Sequence, residues 1–414
     1  MRVAVLGAGV VGVATAFYLA QAGCEVVLID AADGPGDGAT CGNAGILTAG
    51  DSNVWASPST LGSIPSVLVG RDPSMCVDWS AGTAMIGWGA RFVRECTPGH
   101  NRKNVAASHR LATLSLRAIR ELNDDEGLDF GLRQNGLLVL FDDRTALEKG
   151  IEATRVQKEA GEEYEILDRA GVVDVEPAFE TSPTPPGLAI YSPNDMSADS
   201  LAFVLQLLDR CAALGVETRY ACNIESFTEH SAGIAGVETS TGTITADRYV
   251  VCLGHSSSRL ARSAGDTLHM MPATGFSATA NIVDDGRIPE IAVIHEGRHV
   301  AFSRTGHQLR LTSSAVVGSS SRSVSDAKLS TIRDATEALF PDALDLANAR
   351  HGARARPVMA RNRPAIGRGT DHRVFYNTGH GALGWTQACG SALLVSALVR
   401  GATTPIDPTD FAIH

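Results

Sequence analysis

Residues 2–30 read RVAVLGAGVVGVATAFYLAQAGCEVVLID, and this stretch decides the fold. It opens with an apolar, β-branched run from Arg2 to Leu6, of the kind buried in a parallel sheet. A Gly-x-Gly-x-x-Gly turn at residues 7–12 leads into an apolar helical pattern from Val10 to Ala22. A second apolar run, Glu25 to Ile29, follows directly. The order strand, glycine turn, helix, strand predicts an α/β unit with parallel strands.

The glycine turn carries a specific chemistry. Gly7 permits the tight turn, Gly9 lets the backbone approach a pyrophosphate, and Gly12 lets helix and strand pack closely. The helix N-terminus offers free N–H groups to phosphate oxygens, and Asp30 at the end of the second strand can accept hydrogen bonds from ribose hydroxyls. The pattern predicts a dinucleotide site in a Rossmann-like domain, without separating NAD from FAD. Its expected contacts are Gly7, Gly9, Val10, Val11, Gly12 and Asp30.

Composition excludes several classes of protein. The 414 residues suggest two or three domains at about 150 residues each. A hydrophobic content of 44 % supports a real core, which excludes a disordered, collagen-like or disulfide-stapled chain. The net charge of −11 argues against a nucleic-acid partner, because phosphate backbones favour a basic face. The eight cysteines include no Cys-x-x-Cys pair and are interpreted as reduced intracellular thiols.

The apolar run from Val3 to Ala20 has two interpretations. It could be a signal peptide or membrane span, or it could be a buried strand and helix. One basic residue precedes it and three glycines interrupt it at meaningful spacing. These features favour the buried strand and helix, so we expect a cytoplasmic protein that is at most peripheral to the inner face of the membrane.

Residues 39–45 read ATCGNAG, and with them the chain resembles the D-amino-acid oxidase superfamily of FAD-dependent oxidoreductases. The resemblance is closest to the bacterial D-amino-acid dehydrogenase and glycine-oxidase-like branch. In that family a small-residue loop ending in Asn-Ala-Gly starts a helix beneath the flavin. Cysteine stands here where serine is usual, and a thiol is a poorer hydrogen-bond donor. The family positions fall on Thr40, Cys41, Asn43 and Ala44.

The middle of the chain predicts two kinds of structure. An amphipathic pattern over residues 105–126 predicts a helix, and apolar runs at Phe130–Leu132 and Leu137–Phe141 predict a hairpin. The nucleotide-binding domain is expected to return between residues 185 and 262, with its last strand ending at Gly254. Near-alternating polarity from Met270 to Val317 predicts an antiparallel sheet, which by the resemblance floors the active site. Residues 51–104, with three tryptophans, are interpreted as a lid or peripheral patch.

Two motifs in this region partly match the sequence signatures of other enzyme classes. Residues 295–299 read HEGRH, which matches the zinc-binding His-Glu-x-x-His pattern, but that pattern needs a helix to bring both imidazoles to one face. Gly297 and the flanking strand residues predict a hairpin turn instead, and no metal site is expected. Residues 254–258, GHSSS, lack the second glycine of a nucleophile elbow and are interpreted as the end of a strand.

The C-terminal quarter carries the predicted chemistry. Arg356 and Pro357, followed by the run from Arg363 to Gly367, resemble the family's Arg-Pro and Pro-x-Ile-Gly segments. The resemblance gives Arg356 the role of binding the substrate carboxylate, which suits a planar guanidinium that donates two parallel hydrogen bonds. Arg361 and Arg363 have no counterpart there. They are interpreted either as solvated surface charges or as a site for a second acidic group on the substrate.

Residues 377–386 read NTGHGALGWT and closely match the family's flavin-contacting signature. They are expected to open a helix that runs to about Val399. Its N-terminus would face the flavin edge that gains negative charge on reduction. His380 would either donate to the flavin or order the loop, and it joins Arg356 as a candidate catalytic residue. The expected flavin contacts, with Gly254, are Gly379, His380, Gly381, Leu383, Gly384, Trp385 and Thr386.

Together these segments predict a mixed α/β, two-domain fold. A Rossmann-like FAD-binding domain is expected from residues 1–50, 185–262 and 350–414. A substrate domain with a mainly antiparallel sheet is expected from residues 51–184 and 263–349.

The resemblance implies oxidative deamination of an amino acid, expected to be a D-amino acid, by hydride transfer to FAD. Two alternatives stay open: oxidation of a secondary amine such as an N-alkyl amino acid, imino acid or opine, and a flavin-binding sensor or assembly subunit without turnover. The electron acceptor is expected to be a quinone or O2. The chain has only four lysines, which favours the quinone over O2 as the electron acceptor. A homo-oligomer is possible on this evidence, and no nucleic-acid partner is expected.

Overall fold

The computed structural model of the chain describes residues 1–72, 74–230, 233–324 and 326–413. Several short 3-10 turns accompany its α-helices. Over the described residues the α-helices are α1 (Val10–Gln21), α2 (Pro58–Leu68), α3 (Thr83–Glu95), α4 (Pro98–Glu126), α5 (Arg144–Ala153), α6 (Arg155–Glu159), α7 (Arg169–Val175), α8 (Ser200–Ala213), α9 (Ser257–Ser263), α10 (Asp326–Leu339) and α11 (Ala388–Arg400).

The strands form two principal sheets, a three-stranded sheet and a two-stranded ribbon. Within the same residues the strands are β1 (Arg2–Leu6), β2 (Glu25–Ile29), β3 (Ile46–Leu47), β4 (Met75–Val77), β5 (Leu137–Phe141), β6 (Glu165–Asp168), β7 (Leu188–Ser192), β8 (Met196–Ser197), β9 (Glu217–Arg219), β10 (Ile224–His230), β11 (Gly233–Thr239), β12 (Gly242–Ile244), β13 (Arg248–Val251), β14 (Met270–Ile282), β15 (Ala292–His295), β16 (Val300–Thr305), β17 (Gln308–Val317), β18 (Leu344–Met359), β19 (Ala365–Arg368) and β20 (Val374–Thr378).

The first principal sheet is the nucleotide-binding type predicted from the opening residues. Its order is β19-β20-β13-β1-β2-β9, and all neighbours are parallel except β19, which runs antiparallel at the edge. Residues 3–6 of β1 are fully buried. Helices α1, α8 and α11 cover one face, and the β10–β12 sheet with α9 covers the other. Burial on both faces explains why β1 is a continuous apolar run rather than an alternating one.

The strands of this sheet come from distant parts of the chain. β1 and β2 lie near the N-terminus, β9 and β13 in the middle, and β19 and β20 near the C-terminus. The predicted assembly of the sheet from discontinuous segments is therefore confirmed, as is the mixed α/β class.

The second principal sheet has nine strands and is mainly antiparallel. Its path is β18-β14-β17-β16-β15-β5-β7-β6, with β4 paired to β17. The alternating stretch from Met270 to Val317 supplies β14 to β17, as its polarity pattern predicts. Buried residues of β14 to β17 pack against α10 on one face, which leaves the other face of β14 and β18 for the cavity described below.

Two details of the sequence prediction are wrong. Phe130–Leu132 is not a strand, and β5 instead pairs with β7 and β15. All five residues of β5 are buried, so it needs a neighbour on each side, which a hairpin alone would not supply. In addition, β7 and β18 pair in the nine-stranded sheet, although the expected boundaries at residues 185 and 350 placed β7 and most of β18 in the FAD-binding segments.

Helix boundaries and turns follow local chemistry. The helix predicted over 105–126 starts earlier, at Pro98, because proline suits a first turn that needs no N–H donor, and it ends before Gly127 in the left-handed region with φ 59°. His295 ends β15 and residues 296–299 form the turn to β16, so the hairpin interpretation of the His-Glu-x-x-His motif is confirmed. The strand predicted to end at Gly254 is shorter: β13 ends at Val251, residues 254–256 form a 3-10 turn, and α9 begins at Ser257.

The tryptophans of residues 51–104 have different surroundings. Trp88 is buried and its indole donates to the carbonyl of Val358 at 3.0 Å. Trp79 is 56 % exposed. In the part of the chain described, no helix is both long enough and apolar enough to cross a bilayer.

Candidate active site

One cavity of about 490 Å³ lies between the two principal sheets. It runs from the C-terminal ends of the parallel strands, where ligands bind in open α/β sheets, to β14 and β18. Both ends of the chain contribute to its walls. Of the residues proposed from sequence, those that line it are Gly7, Gly9, Val10, Asp30, Thr40, Asn43, Gly254, Arg356, His380, Gly381, Gly384, Trp385 and Val11.

The turn between β1 and α1 requires its glycines. A Cβ on Gly7 would lie 2.5 Å from the carbonyl oxygen of Cys252, and the residue has φ 109°. A Cβ on Gly12 would lie 1.8 Å from the carbonyl oxygen of Gly7. Gly12 is therefore a packing residue and does not line the cavity. Gly9, Val10 and Val11 at the start of α1 line the cavity, so the positive end of the helix lies beside it, where a phosphate would bind.

Asp30 is held in place by backbone donors. Its carboxylate oxygens accept hydrogen bonds from the N–H groups of Ala8 at 2.6 Å and Ala32 at 2.8 Å. The side chain lies along the cavity wall. Each carboxylate oxygen has further lone pairs, so the group keeps capacity for hydroxyl donors such as those of a ribose.

The loop after β2 braces the cavity without forming the predicted helix. Residues 39–42 form one 3-10 turn, after which the chain enters the short strand β3. The hydroxyl oxygen of Thr40 accepts a hydrogen bond from the N–H of Val10 at 3.0 Å. The side-chain amide of Asn43 donates to the carbonyl of Thr40 and the hydroxyl of Ser200, both at 2.5 Å. These contacts bind the loop to Ser200 at the start of α8.

Cys41 and Ala44 lie outside the cavity wall. The thiol of Cys41 points back to its own loop and contacts the carbonyl of Gly38 at 3.4 Å. The carbonyl of Ala44 accepts from Ser303 at 2.5 Å. The structure thus brings Thr40 and Asn43 to the cavity and uses their two neighbours for loop structure.

The C-terminal signature is partly a turn rather than a helix. Residues 381–383 form a 3-10 turn, and α11 begins only at Ala388. The expected start of this helix within residues 377–386 is therefore wrong. Gly379 has φ 82°, and a Cβ there would lie 2.4 Å from Cγ of Met359, so close packing against β18 bends the chain at this point.

Three residues of the signature pack or form hydrogen bonds outside the cavity. Gly379 packs on β18, and Leu383 donates its N–H to the carbonyl of His380 at 3.1 Å. The hydroxyl of Thr386 accepts from the N–H of Thr48 at 3.3 Å. None of the three is part of the cavity wall.

Orphaned polar atoms cluster along the cavity wall. Within the described residues, Asn377 Oδ1, His380 Nε2 and Trp385 Nε1 are buried and have no hydrogen-bond partner, and all three residues line the cavity. Buried polar groups are normally paired. A flavin ring, whose pyrimidine edge offers both donors and acceptors, fits this requirement.

His380 is a neutral imidazole in the folded protein. Burial lowers its pKa to about 3, because the charged form would lose its hydration. The ring therefore offers one donor and one acceptor at physiological pH rather than a positive charge.

Arg356 is a partly buried cation on the cavity wall. It lies opposite Ala273 in the pairing of β18 with β14. Burial alone lowers the pKa of its guanidinium, without a contribution from any carboxylate. A buried cation without an anion is costly, so the site is prepared for an anionic ligand group.

Arg361 and Arg363 are neither solvated charges nor part of the cavity wall. Arg361 donates to the carbonyls of Pro364, Phe411 and Ala412. Burial, reinforced by the neighbouring Arg363, lowers its pKa to about 10. Arg363 pairs with Asp410 at 3.1 Å. Both earlier interpretations are wrong because these side chains anchor the C-terminal segment.

The sequence prediction missed further residues of the wall. Arg354 faces the cavity two positions before Arg356 in the same strand, and the period of two could have revealed it. Asp37, His255 and Arg322 also line the cavity. Arg322 follows β17 in a serine-rich segment, where no sequence pattern points to a site.

A comparison with protein-family models identifies the family to which the chain belongs. The model of FAD dependent oxidoreductase, DAO, matches residues 2–398. The chain belongs to the DAO family of FAD-dependent oxidoreductases. The predicted membership is confirmed, and FAD is the cofactor of this enzyme.

Curated relatives and solved structures agree with the family. The chain is 33 % identical over 413 residues to the D-amino acid dehydrogenase of Phenylobacterium zucineum, covering 100 % of this chain and 97 % of the relative. It is 34 % identical over 413 residues to that of Allorhizobium ampelinum, covering 100 % and 98 %. The fold resembles glycine oxidase from Geobacillus kaustophilus, with TM-score 0.78 and 20 % identity over 100 % of this chain and 98 % of that one.

Proposed function

We propose that this DAO-family enzyme oxidises an amino acid at its α-carbon, and that its substrate is a D-amino acid. When bound, FAD supplies the two-electron acceptor that takes the α-hydrogen as hydride. The amine loses a proton to water, and the resulting imine is hydrolysed to a 2-oxo acid and ammonia. The relatives named D-amino acid dehydrogenase, at 33 % and 34 % identity, support this choice of substrate.

The single observation that carries the proposal is the guanidinium of Arg356, which lies partly buried on the cavity wall over Gly275 and has no carboxylate partner among the described residues. An α-carboxylate supplies the missing anion, and the planar fork of arginine binds it through two parallel hydrogen bonds. Two contacts fix the direction of the α-carbon as well as its distance. Positioning of this kind lowers the entropic part of the barrier.

His380 serves as a neutral hydrogen-bonding group beside the cofactor. Its pKa of about 3 excludes a charged imidazole at neutral pH, so it offers a hydrogen bond rather than a positive charge. The other expected contacts are Gly7, Gly9, Val10, Val11, Asp30, Thr40, Asn43, Gly254, Gly381, Gly384 and Trp385. For Gly12, Cys41, Ala44, Gly379, Leu383 and Thr386 we propose supporting roles.

We assign a different binding role to each of the two principal sheets. We assign FAD binding to the six-stranded sheet and its helices, and substrate binding to the nine-stranded sheet. β7 and β18 go with the second because they pair there. Arg356 is then a substrate-domain residue that reaches the shared cavity.

The acceptor of the electrons is proposed to be a quinone rather than O2. Oxygen activation is favoured by a positive charge close to the flavin; no lysine belongs to the described cavity wall, and we assign the charge of Arg356 to the substrate carboxylate. Lys328 lies elsewhere, 5.9 Å from the ring centre of Phe276. The names of the relatives as dehydrogenases support the same choice.

An anaerobic spectral titration tests the function. Purified holoenzyme is mixed with single amino-acid enantiomers, and the flavin absorbance is followed. We expect D-amino acids to bleach the flavin, with electrons then passing to a soluble quinone faster than to O2. Bleaching by secondary amines alone would show that the substrate is a secondary amine rather than a D-amino acid. Absence of bleaching by any amine would overturn the proposed function.

A further inference from the structure

Three charged side chains meet across the cavity, outside the family motifs. Asp37 belongs to the loop between β2 and the 3-10 turn, Arg322 follows β17, and Arg354 lies in β18. The carboxylate of Asp37 is 2.7 Å from Nη2 of Arg322 and 3.3 Å from Nη2 of Arg354. We call this trio the Asp37 bridge.

The bridge also includes the backbone of the loop. Nε of Arg354 donates to the carbonyl of Asp37 at 2.9 Å, and Nη2 of Arg322 donates to the same oxygen at 3.3 Å. Each arginine therefore binds both the side chain and the main chain of one residue. Such charge-assisted, two-point contacts hold geometry better than a single surface ion pair.

Packing keeps one arginine in place. A Cβ on Gly42 would lie 3.0 Å from Cγ of Arg354, so the arginine stem lies directly against the loop that follows the bridge. The side chain of Arg354 is 23 % exposed, against 59 % for Arg322. Arg354 is thus the partly desolvated anchor of the bridge, and Arg322 is the outer member that water screens more strongly.

The bridge joins opposite walls of the cavity. All three residues line it together with Gly9 and Thr40 of the phosphate end. Asp37 is continuous with the first βαβ unit, whereas both arginines come from the side of the nine-stranded sheet. Any movement that separates these two walls breaks the contacts of Asp37 with both arginines.

We propose that the Asp37 bridge retains the cofactor, with Asp37, Arg322 and Arg354 as positioning residues that set the rate of FAD release. This proposal rests on the placement of FAD in this cavity. It adds three residues that no motif identifies. It also makes cofactor retention electrostatic in part, and therefore sensitive to salt.

The test measures FAD release from the holoenzyme after dilution, by the recovery of free-flavin fluorescence, at low and high NaCl. The variants are Asp37→Asn, Arg322→Gln, their double variant and Asp37→Glu. The matched controls are Asp33→Asn, an exposed acid of the same loop, and Arg333→Gln, an exposed arginine of α10. Thermal melting of each apoprotein reports any general loss of stability.

We expect Asp37→Asn and Arg322→Gln each to speed release about three- to tenfold at low salt, and Asp37→Glu to restore most of the retention. The double variant should be only slightly faster than Asp37→Asn, because the carboxylate contact of Arg322 is lost in both and only its weaker contact with the Asp37 carbonyl is lost in addition. Salt should speed release from the wild type and leave Asp37→Asn nearly unchanged. The controls should match the wild type.

The outcomes separate this inference from the function. If Asp37→Asn releases FAD at the rate of Asp33→Asn while both retain the wild-type melting temperature, the bridge has no role in retention. An accelerated release that appears only with a lowered apoprotein melting temperature would also overturn it. A wild-type protein without flavin would overturn the placement of FAD itself, whatever the variants do.

Discussion

The guanidinium of Arg356 lies in the space that a side chain at position 275 would need. A Cβ on Gly275 would be 2.6 Å from both Cζ and Nη1 of Arg356 and 2.7 Å from Nη2. The arginine therefore crosses the neighbouring strand β14 over a residue that has no side chain. Glycine at this position has a packing role, since its backbone has an ordinary strand conformation.

Gly275→Ala should displace the carboxylate-binding group. The added methyl group cannot coexist with the present position of the guanidinium, which must shift along the cavity. We expect KM for the amino acid to rise at least about tenfold, equivalent to about 1.4 kcal/mol, with little change in bound FAD. Steady-state kinetics and flavin content measure both. Gly187→Ala, where a Cβ meets nothing within 4 Å, is the control, and equal kinetics of the two variants would contradict the assignment.

Arg356→Lys tests whether substrate binding needs the planar guanidinium or only a positive charge. Lysine keeps a positive charge but replaces the two-point fork with one ammonium group. KM should rise at least about tenfold, while kcat changes less and FAD stays bound. Arg350→Lys, an exposed arginine of the same strand, should have wild-type kinetics. Unchanged KM in Arg356→Lys would remove this residue from the substrate site.

Asp195 should give the protein a measurable pH dependence of stability. The side chain is 1 % exposed, and burial raises its pKa to about 6 although Thr48, Ala49 and Gly50 donate hydrogen bonds to it. The folded pKa exceeds the unfolded value of about 4. Its stabilising contribution is therefore complete below pH 4 and is lost as the pH rises through 6.

The variant Asp195→Asn removes this titration and keeps the shape of the side chain. The free energy of unfolding of the wild type, relative to the variant, should fall by about 2 kcal/mol between pH 4 and pH 7.5. Urea denaturation at several pH values measures it, with the exposed Asp33→Asn as control. A wild-type advantage that grows with pH would show that the carboxylate is stabilised in its charged form.

Cys41→Ser should leave the cofactor site unchanged. The thiol contacts carbonyls of its own loop and does not line the cavity. We expect FAD affinity and kcat within about twofold of the wild type, since surface substitutions of this kind have small effects. Thr40→Ala, which removes the acceptor of the Val10 N–H, should weaken FAD binding and is the positive comparison. A large gain of affinity in Cys41→Ser would place this side chain at the flavin.

Local patterns determined much of this protein. The run from Arg2 to Ile29 predicts its own strand, turn and helix because apolar periodicity and steric needs of glycine are local. Alternation from Met270 to Val317 predicts the antiparallel strands for the same reason. Family motifs at both ends of the chain predict the cofactor, and Arg356 follows from one of them.

Tertiary structure decided what the local patterns could not express. Leu137–Phe141 is compatible with a hairpin or with an inner strand, and only the neighbours on both sides select the second. Arg361 has the sequence context of a surface turn, yet two of its carbonyl partners, Phe411 and Ala412, come from about fifty positions away. The contacts of Asp37 with two distant arginines likewise depend on how the two sheets face each other. Sequence determines local conformation through short-range sterics and burial, whereas pairing of distant charges depends on the packing of the whole chain.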